Sequence, residues 1–76
     1  LSPPARAAEI LATGLRTTAG WQRSEYRECT GYDFFDLRRL QIEALIADGL
    51  LEHDEDHLRP TRRGLLFANH IGRELL

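Results

Sequence analysis

The sequence contains one cysteine, Cys29, and no methionine. A lone thiol closes no internal disulfide, and it cannot supply the ligand set of a four-coordinate zinc site or of an iron–sulfur cluster. A reducing, cytoplasmic setting is expected from that usage. No apolar run reaches the ~20 residues that a membrane-spanning helix needs, so no membrane segment is expected. No basic stretch followed by an apolar one opens the chain, and without an initiator methionine the 76 residues are expected to be a piece of something longer. Repeats and low-complexity segments are lacking as well. Positive charge is not in excess: ten basic side chains face twelve carboxylates, a net charge of -2, which gives no global attraction to phosphate or anionic lipid. With 42% hydrophobic and 29% charged residues, the composition fits one small globular domain, residues 1–76. A domain of that size buries only about 60% of its unfolded-chain surface and is marginally stable alone.

Helical periodicity begins after Ser2-Pro3-Pro4, which reads as the end of a linker or a helix start. At ~100° per residue, Ala8, Leu11, Leu15 and Thr18 share one face, with Ala7, Ile10 and Gly14 beside them. Arg6, Glu9, Thr13 and Arg16 lie opposite, and this helix is expected to end near Gly20. Gly14 on the apolar side is expected to admit a close neighbour. Trp21-Gln22-Arg23 reads as an extended joint, and Ser24 to Thr30 as a short helix with Ser24 as a candidate cap and Gly31 as its stop. A third helix is expected from Asp33, its cap, to Asp48, with Gly49 as the stop. There Phe34, Leu37, Leu40, Ala44, Leu45 and Ala47 form a wide apolar arc that Phe35, Ile42 and Ile46 broaden. Only Asp36, Arg39 and Glu43 make a polar stripe, so this helix is placed centrally with Leu40 in the core.

Leu50-Leu51 and Leu58 to Pro60 flank an acidic knot as two short strands, and Thr61 caps a last helix that runs to the end of the chain. The order is helix, joint, helix, helix, hairpin, helix: mainly α with a small β-hairpin, a winged-helix-like topology. A winged helix that reads DNA carries cations on its third helix and wing, because phosphate neutralisation supplies most of the nonspecific affinity. Here the wing holds Glu52, Asp54, Glu55 and Asp56, and the third helix shows Asp36 and Glu43 beside Arg39. A DNA-binding domain of a transcriptional regulator is therefore the alternative reading, and no nucleic-acid partner is expected.

The runs RAAEILATGLRTTAGW, YRECTGYDF, IEALIADGLLE and LRPTRRGLLFANHIGREL together resemble the C-terminal domain of oxygen-independent coproporphyrinogen III oxidases and of the related haem chaperones in the radical SAM superfamily. The resemblance spans nearly the whole chain, and its specificity rests on the order and spacing of individually common motifs. One departure is visible: the family often has proline just after the capping threonine, whereas Pro60 here precedes Thr61, which puts the last hairpin pairing in doubt. The resemblance implies an accessory domain behind a catalytic barrel of the same chain. That barrel binds a [4Fe-4S] cluster through a cysteine triad and cleaves S-adenosylmethionine, and haem is a further ligand in the chaperone branch, towards which the Gly-Leu-Arg helix leans. None of that machinery maps onto these residues. No catalytic, cofactor-binding or metal residue is expected in this chain, and Cys29 is expected to be a small buried hydrophobe.

Two residue clusters remain. His53 and His57 bracket the acidic knot, and their geometry depends on the turn between them. A two-residue Glu55-Asp56 turn pairs Asp54 with His57 and sends the imidazoles to opposite faces, whereas a three-residue turn aligns them as metal ligands would require. The basic cluster is Arg59, Arg62 and Arg63. Arg59 is expected to offset the acidic wing. Arg62 and Arg63 sit in the first turn of a helix, where cations are slightly unfavourable. A carboxylate of the barrel, a porphyrin propionate, or solubility alone would each account for them. On the last helix Leu65, Ala68, Ile71, Gly72 and Leu75 should face the core, leaving Leu66 outside among charges, with Phe67 at the border and His70 on the polar face. Arg62, Arg63, Leu66, Phe67 and His70 are the candidate interface with the barrel.

Overall fold

Ser2 starts the first helix as the sequence suggests: its hydroxyl accepts the Ala5 N–H at 3.4 Å, and the prolines fall in the first turn, where a missing N–H costs nothing. The computed structural model describes residues 2–16 and 19–76. Helix α1 is Pro3–Gly14, and Ala7, Ala8, Leu11 and Ala12 are buried along it. It stops short of Gly20, because Trp21 folds back over Gly14 and donates its indole N–H to the Ile10 carbonyl at 3.3 Å. The close neighbour at Gly14 is thus an indole ring. Thr18, expected on the apolar face, lies outside the described residues.

The joint is strand β1, Trp21–Gln22, and it runs straight into α2, Arg23–Thr30. Gln22 occupies the cap position of α2, so Ser24 is not the cap and sits within the first turn. Helix α3, Phe34–Ala47, starts where the Asp33 carboxylate accepts the Phe35 N–H at 3.2 Å. The stops behave as expected: Gly31 and Gly49 take φ of 80° and 77°, the left-handed region that glycine enters without a Cβ penalty.

Strands β2, Leu51–His53, and β3, His57–Pro60, form the wing, and β1 adds to it, giving an antiparallel sheet in the order β1-β3-β2. His53 pairs with Leu58, and the Asp54 N–H donates to the His57 carbonyl at 3.1 Å, so the turn is the two-residue Glu55-Asp56 form. The doubt raised by Pro60 is resolved by the phase of the ladder. The bonds at Asp54–His57 and from the Thr61 N–H to the Leu50 carbonyl, 3.0 Å, fall on alternate pairs. Pro60 pairs with Leu51 on the other set, where β2 asks nothing of its nitrogen. The last pairing therefore forms.

The C-terminal helix expected as one piece is two: α4, Arg62–Leu66, and α5, Ala68–Leu75, broken at Phe67 with φ −119° and ψ 34°. The segments rest on different supports. Thr61 accepts the Gly64 N–H at 3.0 Å and donates to the Gly49 carbonyl at 2.6 Å, and Gly64 lies against the Leu50 carbonyl so closely that a Cβ would collide with it. Helix α4 is thereby pinned to the end of α3, whereas α5 turns Ile71, Gly72 and Leu75 into the core as their spacing requires.

The core is centred on Leu11, Tyr26, Phe34, Ile42, Leu58 and Ile71, all essentially inaccessible. Leu40 is not among them: it is 80% exposed, and Ala44 and Ala47 are exposed with it. The ~100° count itself explains the difference: Ile42 and Leu45 share the inward arc of Phe34 and Phe35, and Leu40, Ala44 and Ala47 fall opposite it. Within the helix Arg38 leaves helical geometry at φ −141° and ψ 40°, and its guanidinium donates to the Leu75 carbonyl at 2.9 Å, the Leu37 carbonyl at 2.9 Å and the Leu76 carbonyl at 3.4 Å.

Candidate docking surface

The five candidate interface residues fall together at the corner where α4 breaks from α5. Arg62 and Arg63 are exposed on α4, and neither forms an ion pair among the described residues. The Arg63 guanidinium lies 5.7 Å from the centre of the Phe67 ring, a cation–π arrangement that holds both side chains at the surface. Leu66 is 81% exposed, Phe67 is 47% exposed and His70 is half-buried. Arg63, Phe67 and His70 share a concavity of about 350 Å³ with Asp48 and Leu50, so its far wall is the end of α3. The outward place of Leu66 follows from the phase of the segment, as the sequence implied. Sequence reasoning missed the adjoining stripe of Leu40, Ala44 and Ala47 because it placed them on the arc of Phe34 and Leu45, although at ~100° per residue they fall beside Asp36 and Glu43.

The wing offers no comparable surface. Arg59 donates to Glu52 at 2.9 Å and to Asp54 at 3.1 Å, so its single charge bridges two of the four carboxylates of the acidic knot internally. Asp56 closes on the start of α2: its carbonyl accepts the Arg23 N–H at 2.6 Å and its carboxylate accepts the Ser24 hydroxyl at 3.4 Å. The two imidazoles separate. His53 sets its ring against the edge of Phe35 with centres 4.8 Å apart, while His57 donates to the Ala19 carbonyl. Cys29 is exposed, contrary to expectation. Helix α2 is short and buries one side chain, Tyr26, and Cys29 lies off that line beside Pro3, Arg6 and Ile10.

Apart from the Asp54–Arg59 pair of the wing, the perturbed groups among the described residues lie on α2 and at its joint with α3. Hydrogen bonding to Arg23 holds the Asp33 carboxyl below the usual carboxylate range, with bonds of 3.0 and 2.5 Å and a further one from Arg27 at 3.2 Å. Burial pushes the Tyr26 phenol up to about 12, and its hydroxyl donates to the Ala7 carbonyl at 2.5 Å. Shifted groups often mark sites of chemistry. Here each is consumed by an internal partner, so the joint is structural.

As for the [4Fe-4S] cluster that the resemblance attaches to the barrel, the residues present do not fit it. A cluster is held by several thiolates, and Cys29 is the chain's one cysteine. No group of three or more His, Cys, Asp or Glu side chains converges among the described residues. Among the described residues no helix is long and apolar enough to cross a membrane.

In comparison with known families the chain matches the HemN C-terminal domain over residues 1–67. No curated protein and no solved structure matches the chain.

Proposed function

The chain belongs to the HemN C-terminal domain family, the C-terminal accessory domain of coproporphyrinogen III oxidase-like radical SAM proteins, and from that premise we propose that it is a non-catalytic docking domain seated on the catalytic barrel of its own polypeptide. The barrel supplies the [4Fe-4S] cluster and S-adenosylmethionine chemistry, and the parent protein acts in cytoplasmic porphyrin or haem metabolism, in the haem chaperone branch on the likeness of its Gly-Leu-Arg helix. The observation that carries the docking role is Leu66 standing 81% exposed beside Phe67, with Arg62, Arg63 and His70 around them. An apolar anchor with a cationic rim is how modest interdomain contacts are built, and the unpaired arginines suit barrel carboxylates. A DNA-binding role has less to support it: the outward face of α3, the helix that enters the major groove in DNA-binding winged helices, shows Asp36, Leu40, Glu43, Ala44 and Ala47 with Arg39 as its cation.

The test is Leu66→Asp in the full-length parent, followed by limited proteolysis. Release of an intact C-terminal piece should accelerate about tenfold, the effect of roughly 1.4 kcal/mol lost from a domain contact. Unchanged release would show that this corner does not touch the barrel.

A further inference from the structure

The outward face of α3 has no account within the domain. Leu40, Ala44 and Ala47 lie at i, i+4 and i+7, one line about two turns long, and all three are exposed. A solvent-facing helix line normally carries polar side chains. This one lies opposite the buried arc of Phe34, Phe35, Ile42 and Leu45, on a helix that Arg38 latches to the end of α5 through the Leu75 and Leu76 carbonyls. Two alanines flanking a leucine leave a low surface on which another element's backbone can come close, within the 8–10 Å of packed helices.

Charge and position say what covers it. The exposed carboxylates Asp36, Glu43 and Asp48 border the line, whereas Arg62, Arg63 and His70 border the Leu66 corner. The concavity shared by Asp48, Arg63, Phe67 and His70 joins the two, so they form one continuous face with an acidic half and a basic half. We propose that the α3 line is the second half of the docking face, and that its occupant is the catalytic barrel of the same polypeptide, meeting it with an apolar element edged by lysine or arginine. The opposed polarity allows one orientation and opposes the reverse, since like charges facing each other across a contact repel. This rests on the docking role proposed above and adds to it the polarity and the second contact. It also assigns the helix position that reads DNA in other winged helices to protein contact.

The experiment uses the full-length parent with Leu40→Asp, Glu43→Arg and Leu66→Asp, and follows the rate of release and the mass of the released piece. Leu40→Asp and Glu43→Arg should each speed release of an intact domain, about tenfold and about threefold. If Leu66→Asp alone speeds it, the α3 proposal is overturned and the docking role stands. If none of the three does, both fail. Should Leu40→Asp make the domain itself digestible, Glu43→Arg decides, because a half-exposed side chain whose one ion pair spans 3.8 Å carries little of the fold.

Discussion

The joint between α2 and α3 and the surface from the outward line of α3 to the corner where α4 breaks from α5 are built by opposite rules. At the joint every strong group is answered from within: Asp33 by Arg23, Arg27 and the Phe35 N–H, Tyr26 by the Ala7 carbonyl, and Trp21, Tyr26 and Phe34 by one another, with ring centres 5.4 and 5.6 Å apart. On the other surface Leu40 and Leu66 face water and Arg62 and Arg63 have no ion partner among the described residues. Both regions are rich in apolar and charged side chains, so composition does not separate them. What separates them is satisfaction. A group answered internally holds the fold, and an unanswered group of the same kind is available to a partner.

Substitution at the joint should break this contrast most severely. Tyr26 is fully buried, packs against two rings and ties α2 to α1 through its hydroxyl. Tyr26→Ala should cost about 3–5 kcal/mol, the range for emptying an aromatic site. In a domain this small that removes most of the stability, so circular dichroism at room temperature should show a largely unfolded chain. A cooperative urea transition within 1 kcal/mol of the parent sequence's would move the joint out of the structural class.

Asp33 gives the second test and a pH signature. Its pKa is lowered in the folded chain by the Arg23 hydrogen bond first, then by the Phe35 N–H and the charges of Arg23 and Arg27. A lowered folded pKa means that the stabilisation is present above the unfolded carboxyl value of about 3.9 and is lost as pH falls through the depressed folded value. Asn is an equally good helix cap, so Asp33→Asn removes the ion pair and keeps the cap. It should cost about 1–2 kcal/mol at pH 7, less than the 3–5 of a fully buried pair, because Arg23 keeps 35% of its side chain in water. The gap between the two chains, read by urea unfolding, should narrow as pH drops from about 5 to below 3. A gap that stays constant would place its origin in the cap geometry.

How far this plan was legible in the sequence differs between the same two regions. Gly31, Asp33, Gly49 and Thr61 announce their caps and stops locally, and the structure places each where its chemistry asked. The outward place of Leu66 followed from a count of about 100° per residue, because its segment keeps one phase. The two-residue wing turn was one of two open forms, and the separation of His53 from His57 followed once it was chosen. What failed were statements that needed tertiary knowledge. The break at Phe67 arises because Gly64 is seated on Leu50 while Ile71 is seated in the core, and the kink at Arg38 is fixed by carbonyls 37 and 38 residues away. Cys29 was assigned by habit of residue type, and the shortness of α2 overrode it. The joint was therefore nearly readable, whereas the α3 line was misplaced by drawing the apolar arc too wide, since its residues fall opposite Ile42 and Leu45.

Leu40 supplies the smallest expected effect and the sharpest test of the contrast. The wide apolar arc expected from the sequence buries it, and Leu40→Ala would then cost about 2–5 kcal/mol. It is instead 80% exposed, and a side chain already in water loses little transfer free energy on truncation. Alanine is also at least as good a helix former as leucine. Urea unfolding of the 76-residue chain should therefore change by no more than about 0.5 kcal/mol in either direction, the ordinary range for surface substitutions. A loss of 2 kcal/mol or more would mean that the face of α3 carrying Leu40 is buried in solution. The acid-bordered stripe would then vanish as a surface, and docking would rest on the Leu66 corner alone. A null effect in the isolated chain, combined with faster release of the domain by Leu40→Asp in the parent, separates a residue kept for a partner from one kept for the fold.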